Sequence, residues 1–423
     1  MISSSRVAVT GCGFTTSIGN HRREVMRSLL ELKTGIEAWS PVEGEKRLVK
    51  LAGTLKGFDC TSSNPAAWIF PDDYQFDPRL ARSMPPQGLY ALSALEEALQ
   101  EAGLDSTELN NDRTGLYCAS AGSPKMMHQH LTRLEESDWT RPHPHGIISS
   151  VAGALHFHLA AHLEVKGSCC GFTSACSSGS HALGFAFDEI RLGRQDRMIV
   201  VAAEDLSPEN VIPFAGMGAL SQEDEPSRAS CPFDENRNGF VATGGAVVMI
   251  LEHPEHALAR GARPLAMMQG WGQASDGHHV AQPQPDGEGL QRAMNLALKD
   301  GKLSPQDISA VNAHAPSTPA GDRAEALALS KFFSSSQPAI SSTKALTGHG
   351  LTLAGLMEAA FCVLSLKEQF VPGQAHLRNK DEACADLFIP TETLKQPVHA
   401  ILNNSSGFGG TNVAHLFTHY NYD

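Results

Sequence analysis

The sequence predicts an α/β protein, a parallel or mixed sheet covered by helices, and three observations lead there. Strand-like apolar runs alternate with helix-length stretches through the first half. Two of those runs, Met198-Ile199-Val200-Val201-Ala202-Ala203 and Gly244-Gly245-Ala246-Val247-Val248-Met249-Ile250-Leu251-Glu252, are almost continuously apolar, as in strands buried on both faces. The second half then echoes the first.

Taken in order, Val7-Ala8-Val9-Thr10 opens as a strand, and a helix is expected over residues 21–32. A second helix is expected over 89–102, stopped by Gly103, and a strand over 114–119. An apolar helix follows over 178–192, ahead of the two buried strands. The echo begins with Gly11-Cys12-Gly13 and Ser17, matched by Gly270-Trp271-Gly272 and Ser275, each set after an apolar strand. The turn before residue 178 is matched by Ser341-Ser342-Thr343-Lys344, a glycine-bearing turn and an apolar helix over 353–366. A last strand spans 413–417. A duplication then requires insertions in the first half around 35–85 and 205–230. The His/Pro/Ala/Arg/Gly-rich stretch 252–263 divides the chain into halves 1–257 and 258–423. With no long low-complexity linker between them, the halves share one core.

Composition narrows the class. The 423 residues are 41% hydrophobic and 19% charged, with 38 glycines, a profile of a compact soluble α/β protein. No run approaches the roughly 18 apolar residues of a membrane span. The start, Met1-Ile2-Ser3-Ser4-Ser5-Arg6, leads into a strand with no secretory apolar core. Nine cysteines without framework spacing point to a reducing cytosol, and adjacent Cys169-Cys170 read as two buried thiols. A net charge of −13 argues against nucleic acid, whose binding depends on neutralising phosphates. An acidic partner can still dock where a few cations cluster. Arg79 and Arg82, three apart on a helix expected around 78–84, are the candidates, with Lys125 and Arg141 behind them. The histidine pairs at 128/130, 143/145 and 278/279 and the tract 156–162 lack cysteine or carboxylate at zinc spacing, so they read as loop and surface histidines and no metal site is expected. Gly11-Cys12-Gly13 is too short for a dinucleotide fingerprint.

One cysteine stands apart. In Ser174-Ala175-Cys176-Ser177-Ser178-Gly179 the thiol lies between a strand end and the first turn of the 178–192 helix. A free cysteine is ordinarily a small buried hydrophobe; this polar, tightly turned setting favours reactivity. Unpaired N–H groups and the positive end of the helix dipole are expected to stabilise its thiolate, which is the nucleophilic form. His314 follows a strand end at Val311-Asn312-Ala313, and His349 sits in Thr347-Gly348-His349-Gly350 before an apolar helix. Among 19 histidines neither is distinctive alone. Gly407-Phe408-Gly409-Gly410-Thr411-Asn412 suits an oxyanion hole and equally a plain tight turn before a strand.

Together these segments resemble the β-ketoacyl-acyl carrier protein synthases, the condensing enzymes of fatty-acid and polyketide synthesis. The resemblance runs from Val9-Thr10-Gly11 to Gly409-Gly410-Thr411-Asn412, through Phe233-Asp234-Glu235-Asn236-Arg237-Asn238-Gly239-Phe240-Val241 and Lys344-Ala345-Leu346-Thr347-Gly348-His349. Gly244-Gly245, Met217-Gly218-Ala219-Leu220-Ser221 and Ala274-Ser275-Asp276-Gly277 bring it closest to the type I branch. It implies a thiolase-like fold, two duplicated halves in αβαβα layers, and a cytoplasmic homodimer, with a heterodimer of related subunits as the other arrangement. It implies that Cys176 takes an acyl group from acyl carrier protein, that His314 and His349 stabilise an enolate formed from malonyl-carrier protein, and that the amides of Cys176 and Phe408 hold the oxyanion. It further implies that Lys344 and Glu358 orient the histidines as a buried pair, that the Phe408 ring gates the acyl pocket, and that Thr318 binds pantetheine. No cofactor of the protein's own is implied, because 4′-phosphopantetheine arrives on the carrier. Departures are Pro316 in place of a pantetheine-binding threonine, residues 350–355 in place of a smaller pattern, Ser406 in place of phenylalanine, and Asn238 in place of aspartate. Two other readings are a non-catalytic chain-length-factor-like partner, opposed by the intact cysteine, and a degradative thiolase acting on CoA esters, opposed by His349.

Overall fold

Strands buried on both faces send alternate side chains into two different apolar environments, so each needs packing partners above and below. The computed structural model, which describes residues 6–39, 48–72, 74, 76, 77 and 79–421, supplies them. Its first half runs β1 (Val7–Thr15), α1 (Pro86–Ala102), β2 (Thr114–Ala119), α2 (Ala154–Leu163), β3 (Cys169–Phe172), α3 (Ser178–Arg191), β4 (Arg197–Glu204) and β5 (Gly245–Glu252). The second half repeats that order as β6 (Ala266–Ser275), α4 (Glu288–Gly301), β7 (Ala310–Asn312), α5 (Pro319–Phe332), β8 (Ala339–Ser341), α6 (Ala354–Glu368), β9 (Ala400–Gly407) and β10 (Thr411–Thr418).

The strands lie in the order β8-β7-β9-β10-β6-β1-β5-β4-β2-β3. Read outward from the β1/β6 junction, β6-β10-β9-β7-β8 repeats β1-β5-β4-β2-β3. In each half the two outer pairings are parallel and the two inner ones antiparallel. The glycine echo has a physical cause in this topology. A Cβ on Gly13 would lie 1.8 Å from the Ala94 carbonyl oxygen of α1, and one on Gly272 would lie 2.3 Å from the Ala293 oxygen of α4. Only glycine lets helix and strand backbones approach so closely. These glycines are therefore packing positions inside β1 and β6, and β1 continues to Thr15 instead of ending at Thr10.

Alternation along β5 separates the layers. Val247, Met249 and Leu251 enter a central cluster with Phe187 of α3 and Phe361 of α6, while Ala246, Val248 and Ile250 pack beneath α1 and α2. A third cluster joins β7, β9 and β10 to Leu290 and Met294 of α4 and Leu329 of α5. Three apolar seams make the five αβαβα layers of the thiolase-like fold. Phe14 of β1 stacks on Phe361 at 6.1 Å across the central seam. The paired central helices α3 and α6 begin close together, and the residues just before each of them build the site.

Four expectations change. Cys169 and Cys170 are exposed, because β3 is an edge strand with no neighbour on one side. Arg79 caps and Arg82 ends one short 3-10 turn, Leu80–Arg82, in place of a longer helix, and Pro78 lies outside the described residues. Lys125 is buried, its ammonium donating to the carbonyls of Cys60, Thr61 and Ser62, and so is withdrawn from any docking surface. His156, His158 and His162 lie on α2, and His128 and His130 on the helix Pro124–Glu136, instead of in loops, with His128 and His162 on the surface as expected. Among the described residues no helix is long and apolar enough to cross a membrane.

Candidate active site

The turn carrying Cys176 is wound tightly. Ala175 takes φ +52°, a left-handed conformation unfavourable to a side chain, and Ser174 N–H donates to the Ser178 hydroxyl at 2.8 Å. The turn 408–410 joining β9 to β10 lies against it. A Cβ on Gly407 would sit 3.1 Å from the Cys176 nitrogen, and the Ser177 and Thr411 hydroxyls meet at 2.7 Å.

Two histidines arrive from the other half. His349 Nε2 lies 3.1 Å from Cys176 Sγ, although 173 residues separate them. His349 is clamped through its backbone, its N–H donating to Val241 O at 2.6 Å and its carbonyl accepting from Thr243 N–H at 3.0 Å. Phe240 meets the His349 ring edge-on at 5.2 Å, and His314 crosses it at 5.3 Å with the planes 86° apart. His314 is positioned by Glu325 of α5, whose carboxylate accepts from the N–H groups of His314 at 3.0 Å and Ala315 at 2.7 Å. The loop beyond is gathered by Asp322, which accepts from Ser317, Thr318 and Phe233 N–H, and by Arg237, buried between Asp322 and Asp381. The motif around Arg237 is thus a scaffold for the His314 loop.

Below the histidines, Lys344 and Glu358 form an ion pair with both side chains fully buried. Burial pushes the Glu358 carboxyl upward against the pull of Lys344. Burial, reinforced by the Lys344 cation, pushes both histidines well below the usual imidazole range, so both rings are neutral. Cys176 departs from expectation. Burial pushes its thiol up to about 12, with Lys344 pulling the other way. The helix start fails to offset this because the next two amides are committed elsewhere, Ser177 N–H to Ser174 O and Ser178 N–H to Ala175 O. The resting pair is therefore a neutral thiol beside a neutral imidazole, and the thiolate forms only when the proton moves.

This has a measurable consequence. Between pH 6 and pH 8 the thiol stays below its raised pKa and the imidazole above its lowered one, so the share of neutral pair is constant. Iodoacetamide alkylation of Cys176 should be nearly flat across that window, any residual slope coming from the Glu204 and Glu358 carboxyls, which burial pushes up to about 7 beside the thiol. In His349→Ala it should be slower and climb about tenfold per pH unit, following free thiolate.

Cys176, His314, His349, Phe408, Pro316, Thr318 and Ser406 all line one cavity of about 520 Å³. Of its other lining residues Phe240 and Leu351 are buried, Phe214 and Gln284 half-buried, and Met217, His279 and Gln282 exposed. Phe408 is part-exposed and faces Phe214 at 6.2 Å. Ser406 donates to Asn412, which in turn donates to Asp276, and Asn238 bridges Ser221 and Glu223. Arg79 is on the surface, ion-paired with Asp77 at 2.7 Å, and neither it nor Arg82 lines the cavity. Glu325 and Asp322 went unnoticed in the sequence. Their only signal is an acid on the buried side of the apolar helix that follows His314.

Comparison with known proteins follows the same outline. The family described as beta-ketoacyl synthase, N-terminal domain, matches residues 4–257, and its C-terminal domain matches 265–378. The 3-oxoacyl-[acyl-carrier-protein] synthase 1 of Haemophilus influenzae is 36% identical over 424 residues, 98% of this chain and 99% of the relative. A beta-ketoacyl synthase from Burkholderia phymatum superimposes with a TM-score of 0.88 at 32% identity, covering 98% of this chain and 99% of that one. The ishigamide ketosynthase/chain length factor superimposes at 0.86 with 26% identity, covering 98% and 99%.

Proposed function

The chain belongs to the β-ketoacyl synthase family, and from that premise we propose that it condenses an acyl group with malonyl-acyl carrier protein to give β-ketoacyl-acyl carrier protein. The observation that carries this reading is the His349–Cys176 contact at 3.1 Å with His314 crossing the same ring. Cys176 Sγ attacks the acyl thioester, a new C–S bond forms, and the bond to pantetheine breaks. The thiol proton passes through His349 Nε2 to the departing sulfur. In the second half-reaction the malonyl group loses CO2, and its electron pair flows into an enolate whose oxygen accepts hydrogen bonds from His314 and His349. Neutral imidazoles suit this work, since each can offer an N–H to the enolate; for His349 the proton then sits on Nε2, the tautomer opposite to the one that accepts the thiol proton in the first half-reaction. The enolate carbon then attacks the acyl carbonyl, the N–H groups of Cys176 and Phe408 hold the oxyanion, and Cys176 leaves as thiolate and regains a proton from solvent.

Lys344 and Glu358 fix the electrostatics under the histidines, and the Phe408 ring gates the inner cavity. Thr318 takes the pantetheine arm, alone because Pro316 has no hydroxyl. The protein needs no cofactor of its own. Arg79 and Arg82 are the surface cations proposed to meet the carrier, Arg82 the freer of the two given the Arg79–Asp77 pair. A homodimer is supported by the unpaired edge of β3, flanked by exposed Phe157 and Phe185. Nine free thiols favour the cytosol. An intact Cys176 favours catalysis over a chain-length-factor role. Purified protein supplied with malonyl-carrier protein and a series of acyl primers should release CO2 and β-ketoacyl product; cleavage of β-ketoacyl-CoA without malonyl dependence would reverse the assignment to a thiolase.

A further inference from the structure

Glu204 closes β4 in the N-terminal half, is fully buried, and has no part in the steps above. Its carboxylate reaches into the other half. One oxygen accepts from both the N–H and the hydroxyl of Thr352, three residues after His349, and the other accepts from Asn210 Nδ2 at 2.8 Å. Between His349 and Thr352 the chain is strained, since Leu351 holds φ +51° with its side chain in the wall of the Cys176 cavity. A branched side chain stays in that region only if its surroundings impose it. Here two ties do so, the Val241 and Thr243 bonds before Leu351 and the Glu204 bonds after it. Cys176 hangs from the same half as Glu204, and His349 from the half that Glu204 grips.

We propose that Glu204 is a positioning residue for His349: it ties the histidine's loop to the end of β4 and thereby sets the His349–Cys176 contact across the two halves. The proposal rests on the cysteine–histidine pair assigned above. Its consequences follow from geometry. Without the carboxylate, Leu351 relaxes toward ordinary backbone, the 349–352 segment shifts, and Nε2 leaves the sulfur. Glutamine at 204 still presents a carbonyl oxygen to Thr352 and so keeps that tie, although its NH2 then faces Asn210 Nδ2 and the Asn210 bond is lost. The charged and titratable groups around the pair are Lys344, Glu358, His314, Asp205 and Glu204 itself. Burial pushes Glu204 up to about 7, so it is part-protonated near neutrality, which a hydrogen-bonding role tolerates and a purely ionic role does not.

The test reads iodoacetamide alkylation of Cys176 from pH 6 to pH 8 in the full-length protein. It involves no acyl substrate, so it stands or falls separately from the condensation reaction. Glu204→Ala should slow alkylation at pH 7 by about tenfold and turn the flat profile into the climbing one of His349→Ala. The double variant Glu204→Ala/His349→Ala should be no slower than His349→Ala alone, because both remove one interaction. Glu204→Gln should keep the flat profile. Thr352→Val, which removes only the hydroxyl, should move the profile in the same direction as Glu204→Ala and decides the matter if that variant does not fold. A wild-type profile in Glu204→Ala or Thr352→Val, or additive losses in the double variant, would overturn the proposal.

Discussion

His314→Ala and His349→Ala should each lower condensation by about 10²–10³-fold, the scale for losing one hydrogen-bond donor to a developing oxyanion, yet they should fail at different steps. Among the described residues only His349 is within hydrogen-bond distance of the nucleophile, at 3.1 Å, whereas His314 meets the ring of His349. His314→Ala should therefore form the acyl-enzyme at the wild-type rate and stall at decarboxylation. His349→Ala should be slow in both half-reactions, because it loses the acceptor of the thiol proton as well as a donor to the enolate. Rapid-quench measurement of acyl-enzyme formation, set beside release of labelled CO2 from malonyl-carrier protein, separates the steps. Equal slowing of acylation in both variants would place His314 at the sulfur and contradict the geometry.

Lys344→Ala should be the most destabilising single change in the site. Lys344 and Glu358 are both fully buried and paired. Removing one partner of such a pair leaves a buried charge without its counterion, at a cost of about 3–5 kcal/mol. Protonation of Glu358, whose carboxyl burial already pushes upward, limits the loss at low pH. Stability of the variant should thus fall further as pH rises, since the unfolded carboxyl ionises while the buried one resists. Replacing both partners, Lys344→Met with Glu358→Leu, should recover most of the stability, because an apolar pair of similar volume needs no hydration. It should not recover activity. Urea denaturation at pH 6 and pH 8 reports the first effect and the condensation assay the second; a double variant as active as wild type would reduce the pair to a structural element.

The readable parts of this chain are those whose physics is local. Strands buried on both faces announce themselves as unbroken apolar runs, so 198–203 falls within β4 and 244–252 matches β5 to within one residue. The helix starting at Ser178 and the tight turn before it follow from the Ser/Gly cluster around Cys176. The paired glycines of β1 and β6 were visible as an echo, though their purpose, to admit α1 and α4, needed the packing to be seen. What escaped the sequence depends on neighbours far along the chain. Glu325 reads as an ordinary helical acid until its carboxylate is found on the His314 and Ala315 amides. Glu204 reads as the polar end of a strand until Thr352 lies against it. Cys169 and Cys170 read as two buried thiols because adjacent cysteines rarely bridge without strain, while their exposure follows from β3 being last in the sheet. The high thiol pKa was equally hidden, since it is set by which amides the turn consumes and by how completely the site is enclosed.

The most direct test is the mass of the peptide containing residue 176 after incubation with acyl-carrier protein, followed by a chase with malonyl-carrier protein. The expected result is one acyl increment on Cys176, absent from Cys176→Ala, which disappears on the chase as β-ketoacyl-carrier protein is formed. An acyl group that stays on Cys176 through the chase, settles on another residue, or persists in Cys176→Ala would contradict a thioester nucleophile served by two histidines from the opposite half.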